Sequence, residues 1–284
     1  MHRARLRSRD VAGFAHCFLL VFGQLAVGGF FALGRLPFHD IERGFYKSSA
    51  AVFLTSGLLI AIGELTLLWH PHEPGGARPA ETILWTAFAL AASVYVASLW
   101  GDPYRRRALA YLATLAVGTL ALIVSAIGFS PAPAGPLESV LYPASFLVSA
   151  LLLGATASGM LLGHWYLIDV GMPLAPFMRM WRLYRTSLVL QLVTLALSLA
   201  LLHVGGGSAT AAALRDLWDE HRELLWTRLG LGPLPALVIA WMIWRTLQIP
   251  QTMAATGLFY VAVLTSVVGE FLGRFLLYRT SLPL

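Results

Sequence analysis

Glu270 and Arg274 stand four residues apart in Gly269-Glu-Phe-Leu-Gly-Arg-Phe-Leu-Leu-Tyr278, near the end of a long apolar run. On a helix this spacing puts the two on one face with the acid N-terminal, the better ordering for an ion pair. An ionisable group costs ~2.5–3.5 kcal/mol at the centre of a membrane span, so one found there is a candidate for function. The pair reads either as a structural brace or as part of a ligand or proton site. Gly273 beside it leaves room for another helix or a flat ligand. The first apolar run adds His16 and Gln24, in Phe22-Gly-Gln-Leu-Ala-Val-Gly-Gly29. The second closes with Glu64, His70 and His72, and Tyr142 opens the fifth. Carboxylates and imidazoles suit proton acceptance, and amides and phenols suit hydrogen bonding to a polar head group. A separate group, Gly163-His-Trp-Tyr-Leu-Ile-Asp169, offers His164 and Tyr166 as a second site or proton path, with an interfacial aromatic belt as the other reading.

The elements that position these residues must be membrane helices. Hydrophobic residues make up 58% of the 284 and charged residues 12%. A soluble domain carries about a quarter charged residues. Eight apolar stretches, near 11–34, 49–69, 82–100, 108–129, 139–168, 186–204, 229–249 and 252–278, are separated by charged or Pro/Gly-rich breaks. The expected fold is all-α: an integral membrane bundle of eight transmembrane helices forming one polytopic domain over 1–284. The stretch after the arginine-rich tail Met1–Asp10 is of span length and reads as a retained first helix. Leu214, Leu217, Trp218, His221, Leu224 and Leu225 form an apolar stripe. They predict an amphipathic interfacial or docking helix at about 213–226.

An even span count puts both termini on one face, side A. His16, Glu64, His70, His72, Tyr142, His203, Glu270 and Arg274 then collect toward side A. A ligand with a polar head and an apolar body, entering from lipid, would explain that clustering. The short loops of side B hold Arg35, Arg43, Lys47, Arg105–Arg107, Arg179, Arg182 and Arg185. Those of side A hold Arg78 alone. Short basic loops mark the cytoplasmic face, so both termini are expected to be periplasmic, although the basic tail argues the other way. The pI near 9.8 does not point to nucleic acid, because the arginines are dispersed over many loops. The single cysteine, Cys17, leaves no set of thiolates for an iron–sulfur centre. No pair of histidines at matched depth suggests bound haem, and no metal is expected on this chain.

Phe22-Gly-Gln24 followed by Val27-Gly-Gly-Phe30 is similar to the first helix of the dimethyl sulfoxide reductase membrane anchor subunit family. Gly269-Glu-Phe-Leu-Gly-Arg274 with Tyr278 resembles that family's last helix. Chain length, span number and a histidine after the second helix also fit. The resemblance rests on the two ends of the chain, and the middle matches in hydropathy only. It implies a quinol-oxidising anchor of the polysulfide reductase-like group in a bacterial cytoplasmic (inner) membrane. Such a subunit binds menaquinol, or another quinone, near the outer face. It passes electrons to an iron–sulfur subunit, which feeds a molybdopterin catalytic subunit. It further implies a quinol role for His70, with His72 next to it, and for an acid near the third helix, here Glu81. Two readings stand beside this one: a small-molecule permease, and a structural or assembly subunit without a ligand.

Overall fold

The computed structural model describes residues 2–69, 79–101, 104–130, 134–169 and 171–284; side chains are described at Ala15 and from Cys17 onward, Trp69 excepted. Ten helices make up the described chain: α1 (His2–Leu33), α2 (Arg43–Trp69), α3 (Pro79–Ser98), α4 (Tyr104–Phe129), α5 (Pro136–Ile168), α6 (Ala175–Gly205), α7 (Ser208–Asp219), α8 (Arg222–Leu231), α9 (Pro233–Gln248) and α10 (Thr252–Thr280). Among the described residues there is no strand. Among the described residues seven segments are long and apolar enough to cross a membrane: α2 to α6, α8 with α9 taken together, and α10. In α1 the continuously described side chains begin at Cys17, and Cys17–Leu33 is an apolar helical run of 17 residues. The expected count of eight is therefore matched at seven places by length and composition. The protein is a multi-pass membrane protein.

The axis of the bundle is α5. Of its apolar window 72% is buried, against 28–44% in the other spans, which turn one face to lipid. The reason is composition. Ser145, Ser149, Gly154, Ala155, Ala157, Ser158, Gly159 and Gly163 give α5 a surface of small side chains, which lets neighbouring backbones approach on every side. The helices α1, α4, α6 and α10 pack around it. A Cβ on Gly154 would overlap the backbone of Gly28 and Gly29 in α1. On the opposite flank, Cβ atoms on Gly159 and Gly163 would press on Phe259 and Thr256 of α10.

The amphipathic segment expected at about 213–226 is two helices, not one. The chain turns at Glu220–His221 between α7 and α8. Asp216, Asp219 and Glu220 crowd the C-terminus of α7, where acids oppose the helix dipole. Leu214 and Leu217 of α7 and Leu225 of α8 are buried with Leu141, Leu202, Leu276, Leu282 and Leu284, in a small second core at side A. Residue Glu138 of α5 fixes the start of α7: its Oε1 accepts from Thr210 Oγ1 at 3.0 Å and from the Gly207 N–H at 3.4 Å. A carboxylate at a helix N-terminus is favourable for the same dipole reason. From this collar, α8 and α9 run into the bundle as one apolar segment, interrupted at Gly232.

Candidate functional site

Glu270 and Arg274 are both 1% exposed, and they pair as their spacing predicts. Arg274 Nη2 lies 3.5 Å from Glu270 Oε2. The pair is not alone. Arg228 of α8, 3% exposed, brings its Nη2 to 3.9 Å from Glu270 Oε1. The side-chain amide of Gln191 in α6 donates to the same carboxylate oxygen. Arg274 also donates to Ser149 Oγ of α5 at 2.8 Å, and its guanidinium lies 4.1 Å over the Phe146 ring. From α1, Cys17 Sγ donates to the Arg274 carbonyl at 3.2 Å. Five helices therefore meet on one network. Ser149, Gln191 and Glu270 lie ~24–29 Å along their helices from the side B ends, in the half of the bundle nearer side A.

Close backbone approach makes the network possible. A Cβ on Gly269 would meet Gly232 Cα at 2.8 Å, and one on Gly273 would meet the Arg228 guanidinium. The space that remains beside Arg228, Gly232, Gln191 and Glu270 is about 10 Å³, the room of one water. Sequence reasoning placed Arg228 in a loop and missed it, as it missed Gln191. The available signal was the pair of glycines in Gly230-Leu-Gly232, which interrupts the apolar run just beyond an arginine.

Glu64 belongs to a different place. It is 1% exposed near the side A end of α2, and neither carboxylate oxygen has a hydrogen-bond partner among the described residues. Glu81, 4% exposed in the first turn of α3, is close enough to act on it electrostatically. The adjoining helices are held by Gly63 against Leu19 and by Gly23 against Ile60 and Trp85. The imidazoles predicted for this corner, His70 and His72, lie outside the described residues, as does the side chain of His16.

Gln24 is fully buried; its Nε2 donates to the Phe146 carbonyl at 3.2 Å, which ties α1 to α5 beside the Arg274 contact. Its Oε1 has no partner among the described residues. Tyr142 donates to the Ser281 carbonyl, beyond the end of α10. It lines a side A cleft of about 500 Å³ with Phe129, Ser130, Thr210, Tyr278 and Thr280. The predicted second site does not converge. His164 is exposed, with Nδ1 3.5 Å from Tyr260 OH, whereas Tyr166 points inward, stacks on Phe177 and donates to the Pro173 carbonyl at 2.5 Å. Asp216, Glu220 and His221 lie near one another at the exposed α7–α8 turn, where acidic side chains commonly gather without an ion.

The candidates thus fall into three groups: a closed network on α1, α5, α6, α8 and α10, two acids on α2 and α3, and an open cleft at Tyr142. Comparison with known protein families, with curated proteins and with solved structures finds no match to this chain.

Proposed function

We propose that this chain is the membrane anchor subunit of a multi-subunit oxidoreductase, binding and oxidising menaquinol near the outer face of a bacterial cytoplasmic membrane. In this reading the bundle crosses the membrane eight times with both termini periplasmic. Electrons pass to an iron–sulfur partner and on to a molybdopterin subunit. The observation that carries the reading is Glu64, buried without a hydrogen-bond partner among the described residues and within electrostatic reach of Glu81. Oxidation of a quinol releases two protons with two electrons, and two carboxylates from adjacent helices can take the protons. The Tyr142 cleft supports it further. Its volume lies within the range of small-molecule sites, and hydroxyl groups stand among apolar walls.

The closed network has a different part. Its cavity admits one water, so Glu270 and Arg274 act as a brace beneath the site and not as its walls. One observation favours a permease: the interruption at Gly232 lies beside Arg228 and Glu270, and broken helices at buried charges are a transporter pattern.

Two measurements separate the readings. In native membranes, Glu64→Gln should abolish fluorescence quenching of an alkyl-hydroxyquinoline N-oxide inhibitor while leaving the chain's abundance unchanged. Inhibitor binding that survives the substitution would sink the two-acid site. Gentle extraction should co-purify an iron–sulfur protein and a molybdopterin protein. Recovery of the chain as a homo-oligomer with no redox partner would favour the permease.

A further inference from the structure

Side B carries a basic cleft that plays no part in quinol chemistry. Arg35, just past the end of α1, and Arg179 and Arg182, in the first two turns of α6, line it with Leu183 and Thr186. Its volume is about 430 Å³. Among the described residues no carboxylate lines it, and none of the three arginines is ion-paired. Three other cations of this face are already engaged. Lys47 sits 4.9 Å over Trp100, Arg107 4.3 Å over Phe38 and Arg185 4.9 Å over Trp181. The Asp169 carboxylate is turned to its own loop, accepting from the Gly171 N–H at 3.2 Å.

What lies below the cleft narrows the ligand. Residues 179, 182, 183, 186, 190, 193, 197 and 201 recur at helical spacing along one side of α6. The first part of that stripe, Arg179, Arg182 and Thr186 with Leu183 among them, is mainly cationic or hydroxylic. The rest, Leu190, Val193, Leu197 and Leu201, is apolar and 38–47% exposed. A free anion would use the arginines alone. A phospholipid would use both parts, with phosphate oxygens among the guanidinium groups and acyl chains along the leucines and valines. Guanidinium forks match phosphate oxygens in geometry as well as charge. We infer that the cleft between the end of α1 and the start of α6 is a binding site for the phosphate head group of an anionic phospholipid.

The test uses the full chain in mild detergent. Native mass spectrometry and thermal unfolding are followed on addition of phosphatidylglycerol, of phosphatidylcholine with the same acyl chains, and of inorganic phosphate. Phosphatidylglycerol should be retained and should raise the unfolding midpoint, and phosphatidylcholine should do neither. R179Q/R182Q should lower phosphatidylglycerol retention roughly tenfold or more, while R105Q/R106Q on the same face should leave it unchanged. R35Q, on another element, should act in the same direction, so the inference does not depend on one variant folding. Equal retention of the two lipids, or full retention by both R179Q/R182Q and R35Q, would overturn it. Displacement of the lipid by millimolar inorganic phosphate would also overturn it, in favour of a free-anion site.

Discussion

Two arginines and one carboxylate share a buried site, and the formal charges leave an excess of one positive. Arg228 Nη1, Arg274 Nε and Arg274 Nη1 have no hydrogen-bond acceptor among the described residues. The two guanidinium groups tolerate each other because Glu270 lies between them, with the Phe146 ring face beneath Arg274. The two possible deletions are therefore unequal. Glu270→Gln leaves two buried cations facing each other with no counter-charge. Breaking a buried pair this way costs about 3–5 kcal/mol, so the folded chain should be largely lost. Arg228→Met leaves a neutral Glu270–Arg274 pair and should be the milder change. Unfolding midpoints in detergent, compared between the two variants, check the order. A Glu270→Gln midpoint equal to that of the parent would show that the carboxylate is not what holds the arginines. The i, i+4 half of this network was legible in the sequence, because helical spacing alone fixes it. Arg228 and Gln191 were not, because their approach to Glu270 depends on how α6 and α8 pack against α10, and no local spacing encodes that.

At the scale of elements, small residues decide which helices touch. The glycine and serine spacing of α5 announced close packing, but not its partners. The structure divides it by flank, Gly154 against α1 and Gly159 with Gly163 against α10. These contacts differ in what stands opposite. At Gly154 the obstacle is the backbone of α1, which cannot swing aside. At Gly159 it is the Phe259 ring, a side chain and not backbone. Gly154→Ala should therefore destabilise the bundle by about 1–3 kcal/mol or more, and Gly159→Ala by less. A Cβ added at Gly257 would meet nothing within 4 Å. Gly257→Ala should hold or raise stability, by about 0.4–1 kcal/mol, through the unfolded chain. Thermal unfolding of the three variants tests the ranking, and a Gly257→Ala loss as large as that of Gly154→Ala would contradict it. The division of the predicted 213–226 helix belongs at this scale too. Its apolar stripe runs unbroken through His221, so periodicity carried no stop signal. The stop came from acids gathered at a helix C-terminus.

For the whole molecule the open quantity is the parity of crossings, and α1 decides it. Its continuously described apolar run, Cys17–Leu33, covers ~25 Å of a hydrocarbon core of ~30 Å, and the sequence just before it, Val11–His16, carries no Asp, Glu, Lys or Arg. The contacts of α1 run the length of the bundle. Cys17 reaches Arg274 in the half nearer side A, Gln24 and Gly28 lie along α5, and Phe30 accepts from Tyr111 of α4 at 3.1 Å, close to side B. Neighbouring helices surround it along this length, burying Cys17, Leu20, Gln24, Val27 and Phe30. If α1 crosses, the count is eight and the termini share a face. If it does not, they lie on opposite faces. Alkaline phosphatase and green fluorescent protein fused in turn to each terminus report this directly. Phosphatase activity with no fluorescence at both ends is the expected outcome for periplasmic termini. Opposite readings at the two ends would establish an odd number of crossings. Fluorescence at both ends would keep the even count and invert the molecule, placing Glu64, Glu81 and the Tyr142 cleft at the cytoplasmic face, where a quinol oxidised by this bundle would release its protons inward.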